Sequence, residues 1–106
     1  MPPEFSLSQE SLDAERHVVA VRGEIDLFTA PDLKSALSEA IESGHDRIVV
    51  DLTDTTFLDS TALGVILASA QRMAERGGRF ELVCGSPSIR RILDMTMISR
   101  TVHLLP

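Results

Sequence analysis

Ile48-Val49-Val50-Asp51-Leu52, a polar stretch from Thr53 to Thr56, and then Phe57-Leu58-Asp59-Ser60-Thr61-Ala62-Leu63-Gly64 decide the fold of this chain. The first run is short and apolar, broken only by Asp51, and suits a central strand buried on both faces. The polar stretch reads as a loop. From about Ser60 the period changes: Leu63, Ile66, Leu67, Ala70, Met73 and Ala74 recur at helical spacing along one side, until Gly77-Gly78 stops them. A buried strand that hands over to an amphipathic helix is the opening of a β-α-β unit, so the flanking sequence is expected to hold parallel strands.

Upstream, Phe5 to Leu12 reads as a weak strand, and His17 to Val21 as a stronger, β-branched one that ends at Gly23. Thr29, Ala30, Pro31 and Asp32 resemble a capping box, with Asp in place of the usual Glu and Pro tolerated in the first turn. Leu33, Ala36, Leu37, Ala40 and Ile41 then form one helical stripe that Gly44 ends. Downstream, Phe80, Leu82 and Val83 make a strand. Ser86-Pro87 opens a third helix carrying Ile89, Ile92, Leu93 and Met97, and Val102 to Leu105 forms a last short strand. The order β-β-α-β-α-β-α-β predicts a single α/β domain over residues 1–106. Its sheet is mixed and mostly parallel, with an antiparallel first pair and amphipathic helices packed mainly on one face.

The composition narrows the function. In 106 residues there are 16 acidic and 10 basic side chains, a formal charge of −6, so nucleic acid and membrane surfaces are poor partners. The acidity is uneven: residues 1–53 hold 11 acidic and 4 basic side chains, the rest 5 and 6. That reads either as a solubilising surface or as a face that steers a basic partner. The longest apolar stretch, Ala62 to Ala68, is far short of the roughly 20 residues that cross a bilayer. Met1-Pro2-Pro3-Glu4 lacks the basic start and apolar run of a signal peptide. One cysteine, Cys84, fits a reducing compartment, and the expected location is cytoplasmic.

No catalytic constellation emerges. The flanks of Ser60 are Leu58 and Ala62, not the glycines of a nucleophile elbow. The only lysine, Lys34, lies away from any glycine-rich turn, so there is no Walker phosphate loop, and Gly77-Gly78 reads as a simple turn. His17, His45 and His103 follow no metal-ligand spacing and read as surface or packing residues. Cys84 reads as a small buried hydrophobe, and Met73, Met95 and Met97 as fillers of core gaps. No enzyme activity, metal or cofactor is expected.

The segment from Asp59 to Gly64 stands out. Asp59 or Ser60 can cap the helix. Gly64 costs up to about 1 kcal/mol against Ala inside a helix, which suggests either a close backbone approach or a surface that a side chain would obstruct. A hydroxyl here is placed for modification: a phosphoryl group on Ser60 would sit at the positive end of the helix dipole and add about −1.5 to −2 charges.

Three stretches together resemble the STAS domain of bacterial anti-sigma factor antagonists. They are Val21-Arg22-Gly23-Glu24-Ile25-Asp26 running into Thr29-Ala30; Ile48 to Leu52 followed by Phe57 to Val65; and Gly77-Gly78, a strand, then Ser86-Pro87 and Ile92-Leu93-Asp94-Met95. The resemblance covers residues 5 to 105. It implies partner switching: the unmodified protein binds an anti-sigma factor that is also a serine kinase, which frees a sigma factor; phosphorylation ends the binding, and a serine phosphatase resets the protein. Carried over by position, Ser60 is the acceptor, Thr61 a secondary one, Asp59 the preceding acid and Asp26 the acid of the neighbouring loop. Ala62, Leu63 and Gly64 complete the docking segment, with Ala62 where many members have Gly.

Two other readings remain. A non-switching STAS subunit, such as one that docks the ATPase of a lipid transporter, would share the fold without turnover at Ser60. A phospho-aspartate receiver would need an acidic pair after its first strand and a late lysine, and Leu12-Asp13-Ala14-Glu15 is a weak match to the first requirement.

Overall fold

The computed structural model describes residues 4–13, 15–95 and 102–105. Eight elements follow in the expected order: β1 (Ser6–Ser11), β2 (Arg16–Ile25), α1 (Ala30–Glu42), β3 (Arg47–Leu58), α2 (Ser60–Glu75), β4 (Arg79–Cys84), α3 (Pro87–Met95) and β5 (His103–Leu105). The five strands form one sheet in chain order, with β1 antiparallel to β2 and every later neighbour parallel. Because β2 to β5 lie side by side in that order, right-handed crossovers place all three helices on one face. The sequence leaves that point open, and the strand order closes it.

Burial across β3 follows the same asymmetry. Ile48, Val50 and Leu52 are fully buried, whereas Val49 and Asp51 between them are only half-buried. The expectation of a strand buried on both faces is therefore corrected: helices cover one face alone. In-register neighbours extend the covered face, with His17 and Val19 beside Ile48 and Val50, and Phe80 and Leu82 beyond them. Leu33, Leu37, Ile41, Ile66, Met73, Ile89 and Leu93 pack there as one core.

Four local expectations need correction, each for a physical reason. Residues 53–56 are not a loop but the continuation of β3: the backbone pairs on with β2 to Leu58, and the Thr53 and Thr55 hydroxyls find partners in the Asp51 carboxylate and the Val21 carbonyl. Thr55, for example, is buried and donates its hydroxyl to the Val21 carbonyl at 2.9 Å. β2 likewise runs past Gly23, whose φ of 92° permits an irregularity in the ladder without ending it. The α2 stripe is rotated: Ala62, Ile66, Ser69, Ala70 and Met73 are buried, while Leu67 and Ala74 are exposed. Met95 is 77% exposed, the end of α3 having turned it outward from the core, whereas Met73 is fully buried. The expectation for Met97 lies outside the described residues.

The turn at Gly77-Gly78 is as expected, and tighter. Gly77 has a φ of 75°, and a Cβ on Gly78 would come within 2.6 Å of the Met73 Cε and 3.1 Å of the Asp46 carbonyl oxygen. Cys84 is half-buried against the core, and burial pushes its thiol up.

Candidate functional site

The parallel strands deliver two loops to one end of the sheet. Ile25 and Leu58 are register neighbours at the ends of β2 and β3, and the Asp59 amide donates to the Ile25 carbonyl at 3.1 Å. The loop holding Asp26 and the start of α2 are thus tied together.

At the α2 start, Asp59 is the N-cap. Its backbone is extended, and its Oδ1 accepts from the Ala62 amide at 2.9 Å, satisfying one of the helix's free donors. Ser60 is the first helical residue and is exposed. Among the described residues its hydroxyl makes no hydrogen bond. The pairing of roles follows from helix geometry: the cap residue turns its carboxylate back onto the first turn, and the next side chain is left facing solvent.

The other proposed site residues separate. Thr61 is exposed and opens onto a groove of about 300 Å³ between α1 and α2, which Lys34, Ser38, Gly64 and Arg72 also line. Leu63 is half-buried against the core. Ala62 is fully buried, because it falls on the inner stripe four residues before Ile66. Its side chain therefore lies beneath the surface that a partner could touch. Gly64 is exposed, and a Cβ there would meet nothing within 4 Å. Close approach inside the chain does not explain this glycine, which leaves an open outer surface.

Asp26 is held in a turn of its own loop. Its Oδ1 accepts from the amides of Phe28 at 2.9 Å and Thr29 at 3.1 Å. Its own amide donates to Thr29 Oγ1 at 2.9 Å. The Thr29 hydroxyl in turn stands 3.1 Å from the Glu24 carbonyl, to which it can donate. The expected capping box is absent: Thr29 makes no side-chain bond to the helix, because its hydroxyl is already engaged with this turn. Asp26 thus builds the loop. The loop carries Leu27 and Phe28, 62% and 85% exposed. Sequence reading passed over these two because they follow no period; two large apolar residues between a strand end and a helix start were the available signal.

Among the described residues no cluster of three or more His, Cys, Asp or Glu side chains could hold a metal ion, and no helix is long and apolar enough to cross a membrane.

The STAS domain family model matches residues 10–106. The chain belongs to the STAS-domain family of anti-sigma factor antagonists. It is 35% identical over 86 residues to the anti-sigma-B factor antagonist of Bacillus subtilis, covering 81% of this chain and 78% of that protein. The crystal structure of an anti-sigma factor antagonist from Mycobacterium paratuberculosis superposes with a TM-score of 0.87 at 31% identity, over 97% of this chain and 86% of that one. The Bacillus cell fate determinant SpoIIAA in its phosphorylated form shares the fold, with a TM-score of 0.74 at 23% identity over 97% and 92% of the two chains. STAS domains of this family are non-catalytic partner-switching modules, and the site described above is a surface that displays a hydroxyl.

Proposed function

We propose that the unphosphorylated chain binds an anti-sigma factor that is also a serine kinase, so releasing a sigma factor, and that phosphorylation of Ser60 by that kinase ends the binding. A serine phosphatase restores the bound form. The observation that carries this reading is the pairing at the α2 start: a capping Asp59 beside an exposed Ser60 whose hydroxyl makes no hydrogen bond among the described residues. The hydroxyl is free to attack, and the chain needs no base of its own because a kinase supplies positioning and charge stabilisation. Once formed, the phosphoryl group shares the helix N-terminus with the Asp59 carboxylate, which already holds the Ala62 amide. Two anions at one helix end raise repulsion against any acidic neighbour and change the docking surface. The switch acts within one STAS domain over residues 1–106 and, with its partners, in the cytoplasm, without contact to nucleic acid or membrane.

The test is phosphate mapping after incubation with ATP and the anti-sigma factor kinase. Label is expected on Ser60. Ser60→Ala retains binding and takes no label, and Ser60→Glu binds more weakly. Label on the Ser60→Ala variant, at Thr61 or elsewhere, would overturn the assignment of the acceptor.

A further inference from the structure

An aromatic side chain that is 85% exposed needs a reason, and Phe28 is held out by design of the loop rather than by default. Asp26 Oδ1 binds the amides of both Phe28 and Thr29, and the Asp26 carbonyl accepts from the Thr29 and Ala30 amides at 3.2 and 2.8 Å. Thr29 closes the turn back onto the Asp26 amide and the Glu24 carbonyl. Ala30, the next residue, is buried in the core and pins the far end. The loop is therefore braced at both ends while its tip, Leu27-Phe28, stands out into solvent. A rigid loop loses little freedom on docking, so its apolar surface converts into affinity more fully than that of a mobile one.

The setting also favours one kind of partner. The tip adjoins the Ser60 helix start through the Ile25–Asp59 hydrogen bond. Phe57, 45% exposed, is the register neighbour of Glu24 at the same sheet end. The charged groups nearest the tip along its own chain are Glu24, Asp26 and Asp32, with Arg22 further down β2 and Lys34 one turn into α1, and the neighbouring α2 start adds Asp59. An apolar tip within a mainly acidic rim fits an apolar pocket with a cationic rim.

We propose that Phe28, supported by Leu27, is the aromatic anchor that holds the kinase partner, seated in an apolar, cation-rimmed pocket beside that partner's active site. This rests on the function proposed above. Asp26 is then a positioning residue: its Oδ1 shapes the turn that presents Phe28. Anchoring and switching are divided between two loops: the Phe28 loop supplies affinity, and the Ser60 loop supplies sensitivity to phosphate.

The experiment measures binding of the unphosphorylated chain to the anti-sigma factor kinase, and the kinetics of Ser60 labelling, for wild type, Phe28→Ala, Leu27→Ala, Asp26→Asn and Asp26→Ala. Phe28→Ala is expected to weaken binding by about 30-fold or more, the range of an interface hot spot, and to raise KM for labelling with kcat little changed. Leu27→Ala has a smaller effect. Asp26→Asn keeps an oxygen acceptor for the turn and loses only the rim charge, so it weakens binding far less than Asp26→Ala, which behaves like Phe28→Ala. Unchanged melting temperature in Phe28→Ala separates docking from folding. If wild type binds and is labelled while Phe28→Ala stays within about twofold of it, the anchor is wrong and the proposed function stands. If wild type is neither bound nor labelled, the proposed function itself fails. A wild-type dimer that Phe28→Ala dissolves would also overturn the anchor, because the occupant would then be a second copy of the chain.

Discussion

The two ends of the sheet treat polar groups in opposite ways. At the end where β2 and β3 finish, Ser60 is exposed with its hydroxyl unbonded among the described residues, and the carboxylates of Asp26 and Asp59 hold backbone amides in solvent-facing turns. At the end where the parallel strands begin, two polar side chains are buried and held by more exposed partners. Glu81 is fully buried in β4, with Arg47 on the neighbouring strand bonded to its Oε1 and Arg79 Nε 3.3 Å from its Oε2, an ion pair without hydrogen-bond geometry. His17 is buried, with Nδ1 2.9 Å from the Ser11 hydroxyl and Nε2 2.9 Å from Gln9 Oε1, and its ring centre lies 4.8 Å from that of His45. The starting end ties neighbouring strands through its side chains, and the finishing end is where the proposed switch would act. On that proposal stability and function are separable by position, and substitutions at the two ends should not mix their effects.

The largest separation is expected at Glu81. Glu81→Gln removes the charge that two guanidinium groups face and is expected to cost about 2 kcal/mol, below the full value for a buried pair because both arginines are partly exposed and can turn to water. Urea unfolding measures this, and the rate of Ser60 labelling at a temperature where the variant is folded should not change. Burial alone would raise the Glu81 carboxyl, but the hydrogen bond and charge of Arg47, with Arg79, outweigh it and hold it below the usual carboxylate range. The folded state therefore binds this proton less readily than the unfolded chain. Its contribution is complete above the ordinary Glu value of about 4.3 and is lost as pH falls through the lower folded value. A wild-type acid transition that Glu81→Gln leaves in place would break the assignment.

The second test is His17. Burial, and then the charge of nearby His45, lower it below the usual imidazole value. The unfolded chain accepts that proton more readily, so stability is complete above about pH 6.5 and declines as the pH falls below it. His17→Phe is expected to flatten the stability profile between pH 7 and 5.5 while leaving the lower Glu81 transition. An equal slope in wild type and variant over that interval would show that His17 does not set it.

The contrast also marks how much the sequence disclosed. The three apolar stripes placed the helices, with glycine stops after the first two, and the apolar runs placed the strands though not all their ends, since periodicity and turn chemistry are local properties. Residues 53–56 were misread because a polar, hydroxyl-rich strand looks like a loop until its ladder partner is known. Ser60 and Asp59 were legible because a cap is a local motif. Asp26 was located by chain position, but its work in the turn depends on Thr29 and Glu24 in three dimensions. Glu81 and the His17–His45 pair were missed altogether: their meaning comes from residues 34 and 28 positions away, which no spacing rule joins.

The smallest expected effect gives the sharpest contrast, because it has opposite signs for stability and for function. Gly64 lies in the second turn of α2, exposed, with open space where a Cβ would stand. Nothing in the described chain requires glycine there, so Gly64→Ala should raise stability by about 0.5 to 1 kcal/mol through the lower backbone entropy of alanine in the helix. The position lines the groove shared with Thr61 and Lys34, one turn from Ser60. A partner that docks over this turn can approach the backbone only if the surface stays bare. Gly64→Ala is therefore expected to melt higher and to bind the kinase more weakly, by a few-fold, with Ser60 labelling slowed to match. A higher melting temperature with unchanged binding would mean that the partner does not reach the second turn of α2, and would confine the docking surface to the two loops that precede it.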